Sequence, residues 1–281
     1  MRRQKKPTAS IILLASDLHI GERTCVPGLH DYNSFVASHR LDQLPQKLLE
    51  FKRDLSGLDV DELLIAFLGD VVDGVQIYPT QSHEQEITDA SAQAERFAEI
   101  TAPFIESAAR IFKSVRVVGI VGNHGRKGRF RAETDSDDRQ AYSCLKNELT
   151  HKRITFALGG DLLHRIERVK GKKILFHHGH DIKGSGSWQS IEKKVSAWHD
   201  QRIFGPKLGA FDICCIGHFH RLGHIEILSG SAAIFLNGTL VTGDMFAPRV
   251  MGQGSTCAWW AIAVSDAKQN AITSRRIALL D

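Results

Sequence analysis

Five apolar runs in this chain are each followed at once by residues of the types that bind metal ions in proteins. The runs occupy residues 11–15, 63–68, 114–121, 172–176 and 211–216. Short apolar runs bounded by turn residues are typical of buried strands. In an open α/β sheet, ligands bind outside the carboxyl ends of the strands, so the five polar segments are expected at one edge. The sequence therefore predicts one site assembled from distant parts of the chain.

The five polar segments share carboxylate, imidazole and amide side chains. They are Asp17-Leu-His19, Gly69-Asp70-Val-Val-Asp73, Gly122-Asn123-His124, His177-His178-Gly-His180 and Gly217-His218-Phe-His220. In extended backbone, side chains two residues apart point the same way. Asp17 and His19 can therefore reach one ion together, and His218 and His220 repeat the same period-two geometry.

Individual residues in these segments have different expected roles. The carboxylate of Asp70 has two oxygens and can bridge two cations. Asp73 could bind metal, but we expect it to orient a neighbouring ligand or to cap the following turn. Asn123 offers a neutral carbonyl oxygen to a metal. His124 beside it can protonate a leaving oxygen or stabilise a phosphoryl oxygen in the transition state.

Each segment alone also has an ordinary structural interpretation. A carboxylate or a histidine after a strand is often a satisfied surface group, and Asn-His beside glycine is typical of a turn. In the histidine-rich segment we predict His178 as the ligand, His177 facing the core, and His180 outside the ligand set or exposed to solvent. These structural interpretations would have to be correct for all five segments at once. The five segments taken together therefore favour a metal site.

The order of these motifs resembles the calcineurin-like metallophosphoesterase family over roughly residues 10 to 240. The family pattern is Asp-x-His, Gly-Asp-x-x-Asp, Gly-Asn-His-Asp/Glu, a lone His, and Gly-His-x-His. The resemblance implies one metal bound by Asp17, His19, Asp70 and His220, and a second bound by Asp70, Asn123, His178 and His218. It also implies that His124 is the catalytic histidine. The implied fold is a four-layer α/β/β/α sandwich, with two mixed sheets flanked by helices.

One position departs from the family pattern. Where the family often has Asp or Glu after Gly-Asn-His, this chain has Gly125. In the family that acid commonly supports the catalytic histidine. Either another residue orients His124 here, or His124 acts mainly as a hydrogen-bond donor to the phosphate.

The ligand types also indicate the metal and the reaction. Mixed oxygen and imidazole ligands without thiolates suit Mn²⁺, Fe²⁺ or Zn²⁺, and we expect two divalent ions, with Mn²⁺ as the first choice. Two ions about 3.5 to 4 Å apart can hold a bridging hydroxide for in-line attack on phosphorus. We therefore predict a metal-dependent phosphoester hydrolase. No Walker-type phosphate loop occurs, which argues against an NTP-driven motor.

The best clue to the substrate is a basic segment directly after His124. It contains Phe130 and the cations Arg126, Lys127, Arg129 and Arg131. Cations beside a phosphodiester site attract a polyanion, and an aromatic ring can stack on an unpaired base. The alternative is a solvated loop whose cations balance Glu133, Asp135, Asp137 and Asp138.

Three functions of different classes follow from these observations. The leading prediction is a phosphodiesterase or nuclease that acts on DNA, since the chain is most similar to the compact DNA-repair exonucleases and phage-encoded phosphoesterases of the family. The second is a phosphomonoesterase acting on phosphoprotein or nucleotide. The third is a non-catalytic binding scaffold, against which the full set of ligand residues argues. The resemblance adds a homodimer and an ATPase partner as expectations.

Length and composition predict one domain over residues 1–281, with a basic, flexible tail at residues 1–9. The 281 residues, 42% of them hydrophobic, suffice for one substantial core. The five scattered cysteines indicate a reduced compartment, and we expect a cytoplasmic protein. No apolar run approaches the roughly 20 residues of a membrane span, so we expect no membrane association. The net charge of +4 favours nucleic acid only slightly.

Apolar spacing also predicts helices between the strands. The spacing indicates one helix over residues 41–55 and another over residues 87–111, which Pro103 should bend or split. Short strands are predicted within residues 153–177 and 211–279. The segment most similar to a linker is 125–138. We expect Cys214 and Cys215 to pack as small apolar residues.

Overall fold

Two mixed β-sheets pack face to face in a computed structural model of the chain, and helices cover both outer faces. The structure describes residues 6–25, 28, 30–75, 77, 78, 81, 85–128, 130–158, 163–183, 187–201, 210–227, 232–243, 255–267 and 271–280. The strands are β1 Thr8–Ala15, β2 Asp59–Phe67, β3 Ser114–Gly119, β4 Ile154–Ala157, β5 His164–Val169, β6 Lys172–His177, β7 Ile213–Ile216, β8 Gly223–Ile227, β9 Ala232–Leu236, β10 Ala258–Ser265 and β11 Ile272–Ala278. The helices are α1 Ser34–Asp42, α2 Leu44–Asp54, α3 Ala90–Ile111, α4 Asp137–Glu148 and α5 Trp188–Gln201.

The first sheet has six strands in the order β11-β10-β1-β2-β3-β4. Strands β1 to β4 run parallel, whereas β10 and β11 pair antiparallel. The last residues of the three central parallel strands are in register, because Ala15 pairs with Phe67 and Phe67 pairs with Gly119. The segments that follow these strands therefore leave the sheet side by side.

The second sheet has five strands in the order β5-β6-β7-β9-β8. Strands β6, β7 and β9 run parallel, and the two edge strands pair antiparallel to them. The histidine-rich segment follows β6, and the Gly-His-x-His segment follows β7. His177 pairs with Ile216, so both segments begin at one level of this sheet.

Side-chain alternation along the strands divides the core into three layers. On β1, Ile11 and Leu13 face the layer formed with α1 to α4, whereas Ile12 and Leu14 face the layer between the sheets. The third layer lies between the second sheet and α5, where Trp198 is buried. The predicted α/β/β/α sandwich is confirmed. It follows from strands that bury apolar side chains on both faces.

Two helices differ from the sequence prediction. The structure has α1 ahead of α2, so the helix predicted over residues 41–55 is the second of two. Helix α3 continues through Pro103, so the proline does not split the helix, and the alternative of a bend stays a prediction. The helix buries Phe97 and Phe104 on either side of the proline, and this packing compensates for the missing backbone hydrogen bond.

The boundaries of the predicted N-terminal tail and of the predicted linker also differ from those in the structure. Strand β1 begins at Thr8, inside the tail predicted at residues 1–9, because Ala9 is buried and pairs with Val60 and Ser265. Residues 1–5 of that tail lie outside the described residues. The predicted linker ends where α4 begins, at Asp137. All five cysteines are free thiols, and Cys214 and Cys215 are buried as expected.

Among the described residues, no helix combines the length and the apolar character that crossing a bilayer requires.

Candidate metal centre

The two sheets bring all five polar segments to one edge of the sandwich. Backbone hydrogen bonds tie the segment after β1 to the one after β2, since Asp17 N donates to Gly69 O (3.2 Å) and His19 N donates to Asp70 O (3.0 Å). The segment after β7 joins them, because His218 N donates to the carboxylate of Asp17 at 3.1 Å. All seven predicted ligands and His124 therefore lie around one cleft.

Asp17, His19 and His220 form the first group of candidate ligand atoms. The Nε2 atoms of His19 and His220 lie 3.2 Å apart, and His220 Nε2 lies 3.3 Å from Asp17 Oδ1. All three residues are buried. Burial alone would raise the pKa of Asp17, but the hydrogen bond and the charge of His220 outweigh it and lower that pKa. The group thus pairs an ionised carboxylate with two imidazole nitrogens.

The second group contains Asp70, Asn123, His178 and His218. His178 Nε2 lies 2.9 Å from Asp70 Oδ2 and 2.9 Å from Asn123 Oδ1. The other ring nitrogen of His178 lies 2.7 Å from the carbonyl oxygen of Leu68. A proton on Nδ1 satisfies that carbonyl and leaves Nε2 directed at the two oxygens, which is the usual arrangement of a metal-binding histidine.

Asp70 lies between the candidate ligands on the two sides of the cleft. One ligand atom each from Asp70, His178 and His218 lie within 4.8 Å of one another, and the same holds for Asp70, His19 and His124. The two carboxylate oxygens have different partners. Oδ2 faces His178, while Oδ1 accepts a hydrogen bond from the backbone N–H of His124 at 2.8 Å. This position suits a carboxylate shared between two ions.

Left-handed backbone, rather than extended backbone, places the ligand side chains. Among the described non-glycine residues, those with positive φ are Asp17 (54°), His19 (47°), Asp70 (49°), Lys170 (47°), His218 (65°) and His220 (51°). The expectation that strand alternation aligns the Asp-x-His and His-x-His pairs was therefore wrong, because the chain turns sharply at each ligand. Such conformations cost about 1–3 kcal/mol each and cluster at functional sites.

Glycines allow the ligand segments to approach closely. A Cβ on Gly122 would lie 2.1 Å from Asp70 Oδ1, and one on Gly217 would lie 2.9 Å from Asp17 Oδ2. Gly69, which precedes Asp70, has φ of 92° and would place a Cβ 2.5 Å from Gly122 N. Any larger residue at these positions would displace a carboxylate or its backbone.

The donor set fits a pair of divalent metal ions. The two groups offer carboxylate, amide and imidazole donors, and thiolates take no part in them. Within the first group, two imidazole nitrogens face each other across a short buried gap. Lone pairs that converge in this way, beside a buried carboxylate, suit a cation better than they suit each other.

Asp73 supports His124 in place of an acid at position 125. His124 Nδ1 lies 3.2 Å from Asp73 Oδ1, and Gln85 Nε2 donates to Asp73 Oδ2 at 2.9 Å. Burial disfavours the charged form of His124, but the charge of Asp70 and the contact with Asp73 outweigh it and raise its pKa to about 9. A Cβ on Gly125 would lie 2.9 Å from Ser136 Oγ, so the start of α4 leaves little room for an acid there.

The sequence missed the structural role of Asp138. Its carboxylate is fully buried and accepts four backbone hydrogen bonds, from Asp70 N (3.1 Å), Val71 N (3.0 Å), Val72 N (3.3 Å) and Gly122 N (2.8 Å). Burial, followed by the charge of Asp70, raises the pKa of Asp138 to about 6. One side chain thus joins the segments after β2 and β3.

In the alternative of a charge-balanced loop, Asp138 was one of four acids that balance the cations, but its carboxylate binds these backbone N–H groups. Asp138 lies in the first turn of α4, and Ser136 caps this helix by accepting a hydrogen bond from Asp138 N. In the sequence this position indicates only the start of a helix. The sequence carries no signal for the contact with Asp70, which lies 68 residues earlier in the chain. Thr239 also contacts the segment after β1, since its hydroxyl donates to Asp17 O at 2.7 Å.

The other histidines of the run after β6 lie beside the ligand groups. His177 is buried against Trp198, with ring centroids 4.7 Å apart, and burial lowers its pKa to about 3. It faces the core, as predicted. His180 lies 5.6 Å from His178, ring to ring, and its Nε2 lies 3.6 Å from Glu133 Oε2. His180 is therefore at the rim of the cleft.

The described cations of the basic loop are paired with acids of the same loop. The pairs are Arg126 with Glu133 (2.6 Å), Lys127 with Asp137 (3.5 Å) and Arg131 with Asp135 (3.2 Å). The fourth predicted substrate-binding residue, Arg129, lies outside the described residues. The side chain of Phe130 is fully exposed. This pairing favours the alternative of a charge-balanced loop, whereas the exposed ring is available for a ligand.

The sequence profile of the calcineurin-like phosphoesterases matches residues 11–222, which include every predicted ligand. The chain belongs to this family. Its members are dimetal-dependent, and the family together with the ligand groups described above supports a metal-dependent phosphoester hydrolase. The family resemblance stated from the motifs is confirmed.

One curated relative is the DNA polymerase II small subunit of Thermoplasma acidophilum. It is 25% identical over 203 residues, which are 69% of this chain and 34% of the relative, so the chain spans about a third of that protein. Among solved structures, the chain is similar to Vps29 of Entamoeba histolytica complexed with Zn²⁺ (12% identity, TM-score 0.41, 96% of this chain and 99% of that one). It is also similar to a putative 5′-nucleotidase of Staphylococcus aureus (11% identity, TM-score 0.41, 98% and 55%).

Proposed function

We propose that this protein is a two-metal phosphodiesterase that cleaves DNA. The observation that carries the proposal is the pair of ligand groups on either side of Asp70, with His124 beside them. The first ion would be held by Asp17, His19, Asp70 and His220, and the second by Asp70, Asn123, His178 and His218. We propose Mn²⁺ as the native metal. When bound, two such ions polarise phosphoryl oxygens and activate water for in-line attack.

His124 is the proposed general acid. Its Nδ1 faces Asp73, so Nε2 is the nitrogen left to donate a proton to the leaving oxygen. Asp73 holds the ring, and Gln85 holds Asp73. This chain of contacts fixes the orientation of the imidazole before substrate arrives, which is what proton transfer at a defined atom requires.

Replacing His124 by Ala is expected to lower kcat for DNA by about 10²- to 10⁴-fold, the usual contribution of a general acid. The loss with bis-p-nitrophenyl phosphate should be much smaller, because p-nitrophenolate leaves without a proton. Metal content, measured by mass spectrometry after gel filtration, should stay at two ions. A variant that holds one ion would identify His124 as a ligand, and equal losses with both substrates would assign it to the phosphoryl oxygens.

Two observations support DNA as the substrate. The curated relative is by name a subunit of a DNA polymerase. In addition, the loop that follows His124 carries the exposed ring of Phe130 together with Lys127 and Arg131, whose side chains are 39% and 67% exposed. An exposed ring beside partly exposed cations is the combination that binds single-stranded nucleic acid.

The second candidate is a phosphomonoesterase acting on nucleotide or phosphoprotein. The internal ion pairs of the loop favour it, because they leave less net positive charge for a polyanion. The direct test compares hydrolysis of bis-p-nitrophenyl phosphate, p-nitrophenyl phosphate and labelled single- and double-stranded DNA, after chelation and after restoring Mn²⁺. Cleavage of the diester and of DNA supports the proposal, and turnover of the monoester alone would refute it.

A matched pair of loop variants tests the DNA contact. Arg131→Gln should weaken DNA cleavage and reduce the slope of log KM against log salt by about 1, as expected for one lost phosphate contact. Asp135→Asn removes the acid paired with Arg131 and should strengthen DNA cleavage. Neither variant should change hydrolysis of bis-p-nitrophenyl phosphate. If both leave DNA cleavage unaltered, the loop does not contact DNA.

The homodimer and the ATPase partner stay predictions from the family resemblance. The single-domain organisation stays a prediction from length and composition, and the cytoplasmic location stays a prediction from the scattered cysteines.

A further inference from the structure

Tyr78 contacts both functional residues of the segment after β3. Asn123 Nδ2 donates a hydrogen bond to the Tyr78 hydroxyl oxygen at 2.9 Å. The ring of Tyr78 packs on the ring of His124, with centroids 4.7 Å apart and planes inclined by 37°. A single side chain therefore touches a proposed ligand of the second ion and the proposed general acid.

The loop that carries Tyr78 is anchored to the cleft by a buried glutamine. Gln81 Oε1 accepts from the backbone N–H groups of Ile77 (2.7 Å) and Tyr78 (2.9 Å). Gln81 Nε2 donates to the carbonyl oxygen of Asp73. The side chain of Gln81 is 2% exposed. Tyr78 is thus fixed relative to the segment after β2, which supplies Asp70 and Asp73.

The contact with Tyr78 bears on which end of the Asn123 amide faces the ligand group. Asn123 Oδ1 lies 2.9 Å from His178 Nε2, and Asn123 Nδ2 is the atom bonded to Tyr78. A metal ion accepts the carbonyl oxygen and not the NH₂ group. With Oδ1 directed at the ligand group, Nδ2 is directed at the Tyr78 hydroxyl, which satisfies the NH₂ group and so stabilises the orientation that binds metal.

We propose that Tyr78 is a positioning residue that couples the second metal site to the general acid. Its hydroxyl orients the Asn123 amide toward the ion, and its ring limits the tilt of the His124 imidazole. This inference rests on the proposed ligand role of Asn123. The two contacts have separable consequences, since one concerns metal affinity and the other concerns turnover of the loaded enzyme.

Two substitutions separate the contacts. Tyr78→Phe removes the hydroxyl and keeps the ring, so it should weaken binding of one of the two Mn²⁺ ions by about 10- to 100-fold, the usual effect of losing an outer partner of a ligand. Turnover should return to the wild-type value at saturating Mn²⁺. Tyr78→Ala also removes the ring, so kcat for DNA should stay low at saturating Mn²⁺, with a smaller loss for bis-p-nitrophenyl phosphate.

Mn²⁺ binding is measured by titration calorimetry and by the electron paramagnetic resonance of free Mn²⁺, and kcat is measured at saturating Mn²⁺. Tyr142→Phe is the matched control, because its hydroxyl donates to a backbone carbonyl, that of Ile120, and not to a ligand side chain. It should lower Tm and leave both Mn²⁺ affinities unchanged. Wild-type Mn²⁺ affinity in Tyr78→Phe would overturn the inference.

Asn123→Ala separates this inference from the proposed function. If Asn123→Ala weakens the binding of one Mn²⁺ ion and Tyr78→Phe does not, the proposed ligand set is supported and the proposed role of Tyr78 is wrong. If Asn123→Ala leaves both ions unaffected, the proposed ligand set itself is wrong at this position.

Discussion

Replacing Asp70 by Asn is expected to reduce kcat/KM by roughly 10³-fold or more, since bound metal supplies several kcal/mol of transition-state stabilisation and each 1.36 kcal/mol is tenfold in rate. Each carboxylate oxygen of Asp70 has its own contact. Oδ1 accepts from His124 N, and Oδ2 faces His178 Nε2. An Asn side chain has the same shape but offers one oxygen, so it cannot present an oxygen to both ions.

The measurement is hydrolysis of bis-p-nitrophenyl phosphate at saturating Mn²⁺, with circular dichroism to show that the variant is folded. Asp61→Asn is the matched control, because Asp61 lies at the opposite end of the same strand, β2, and pairs with Lys170 at 3.1 Å. It should keep wild-type turnover. Unchanged turnover in Asp70→Asn would mean that the metal centre is assigned to the wrong residues.

Replacing Asp138 by Ala is expected to lower the free energy of unfolding by on the order of 4 kcal/mol, because four buried backbone N–H groups lose their acceptor and each unsatisfied group costs about 1–3 kcal/mol. For a chain of this size the loss corresponds to a fall in Tm of roughly 10 °C. The affected N–H groups belong to Asp70, Val71, Val72 and Gly122. Mn²⁺ affinity should fall with stability, since these segments carry ligands of the second ion.

Thermal unfolding of the metal-free protein measures this effect. Asp137→Ala is the neighbouring control, and it removes one partly exposed ion pair with Lys127, which is worth about 1 kcal/mol or less. Asp138→Asn should give an intermediate loss, because an amide can accept along one edge only. Equal Tm values for Asp137→Ala and Asp138→Ala would contradict the assigned role of Asp138.

The sequence determined the identity of the site because its signals are local. An apolar run predicts a buried strand, and the residue types that follow it identify the metal-binding side chains at its carboxyl end. Five such segments predicted the edge at which the site forms, and their order gave the family resemblance that implied the sandwich and the grouping of His178 with Asp70. The same logic placed His177 in the core.

Tertiary structure decided how those donors are held. The turn at Asp17 and the turn at His220 are left-handed and follow from packing between loops, so strand alternation gave the wrong geometry for them. Asp138 serves Asp70 from a helix that begins much later in the chain, and Tyr78 reaches Asn123 across 45 residues. Local patterns report burial and turns, whereas contacts between distant loops depend on strand order and sheet packing. The candidate ligands and the orienting role of Asp73 could therefore be predicted from the sequence, but the contacts of Asp138 and Tyr78 could not.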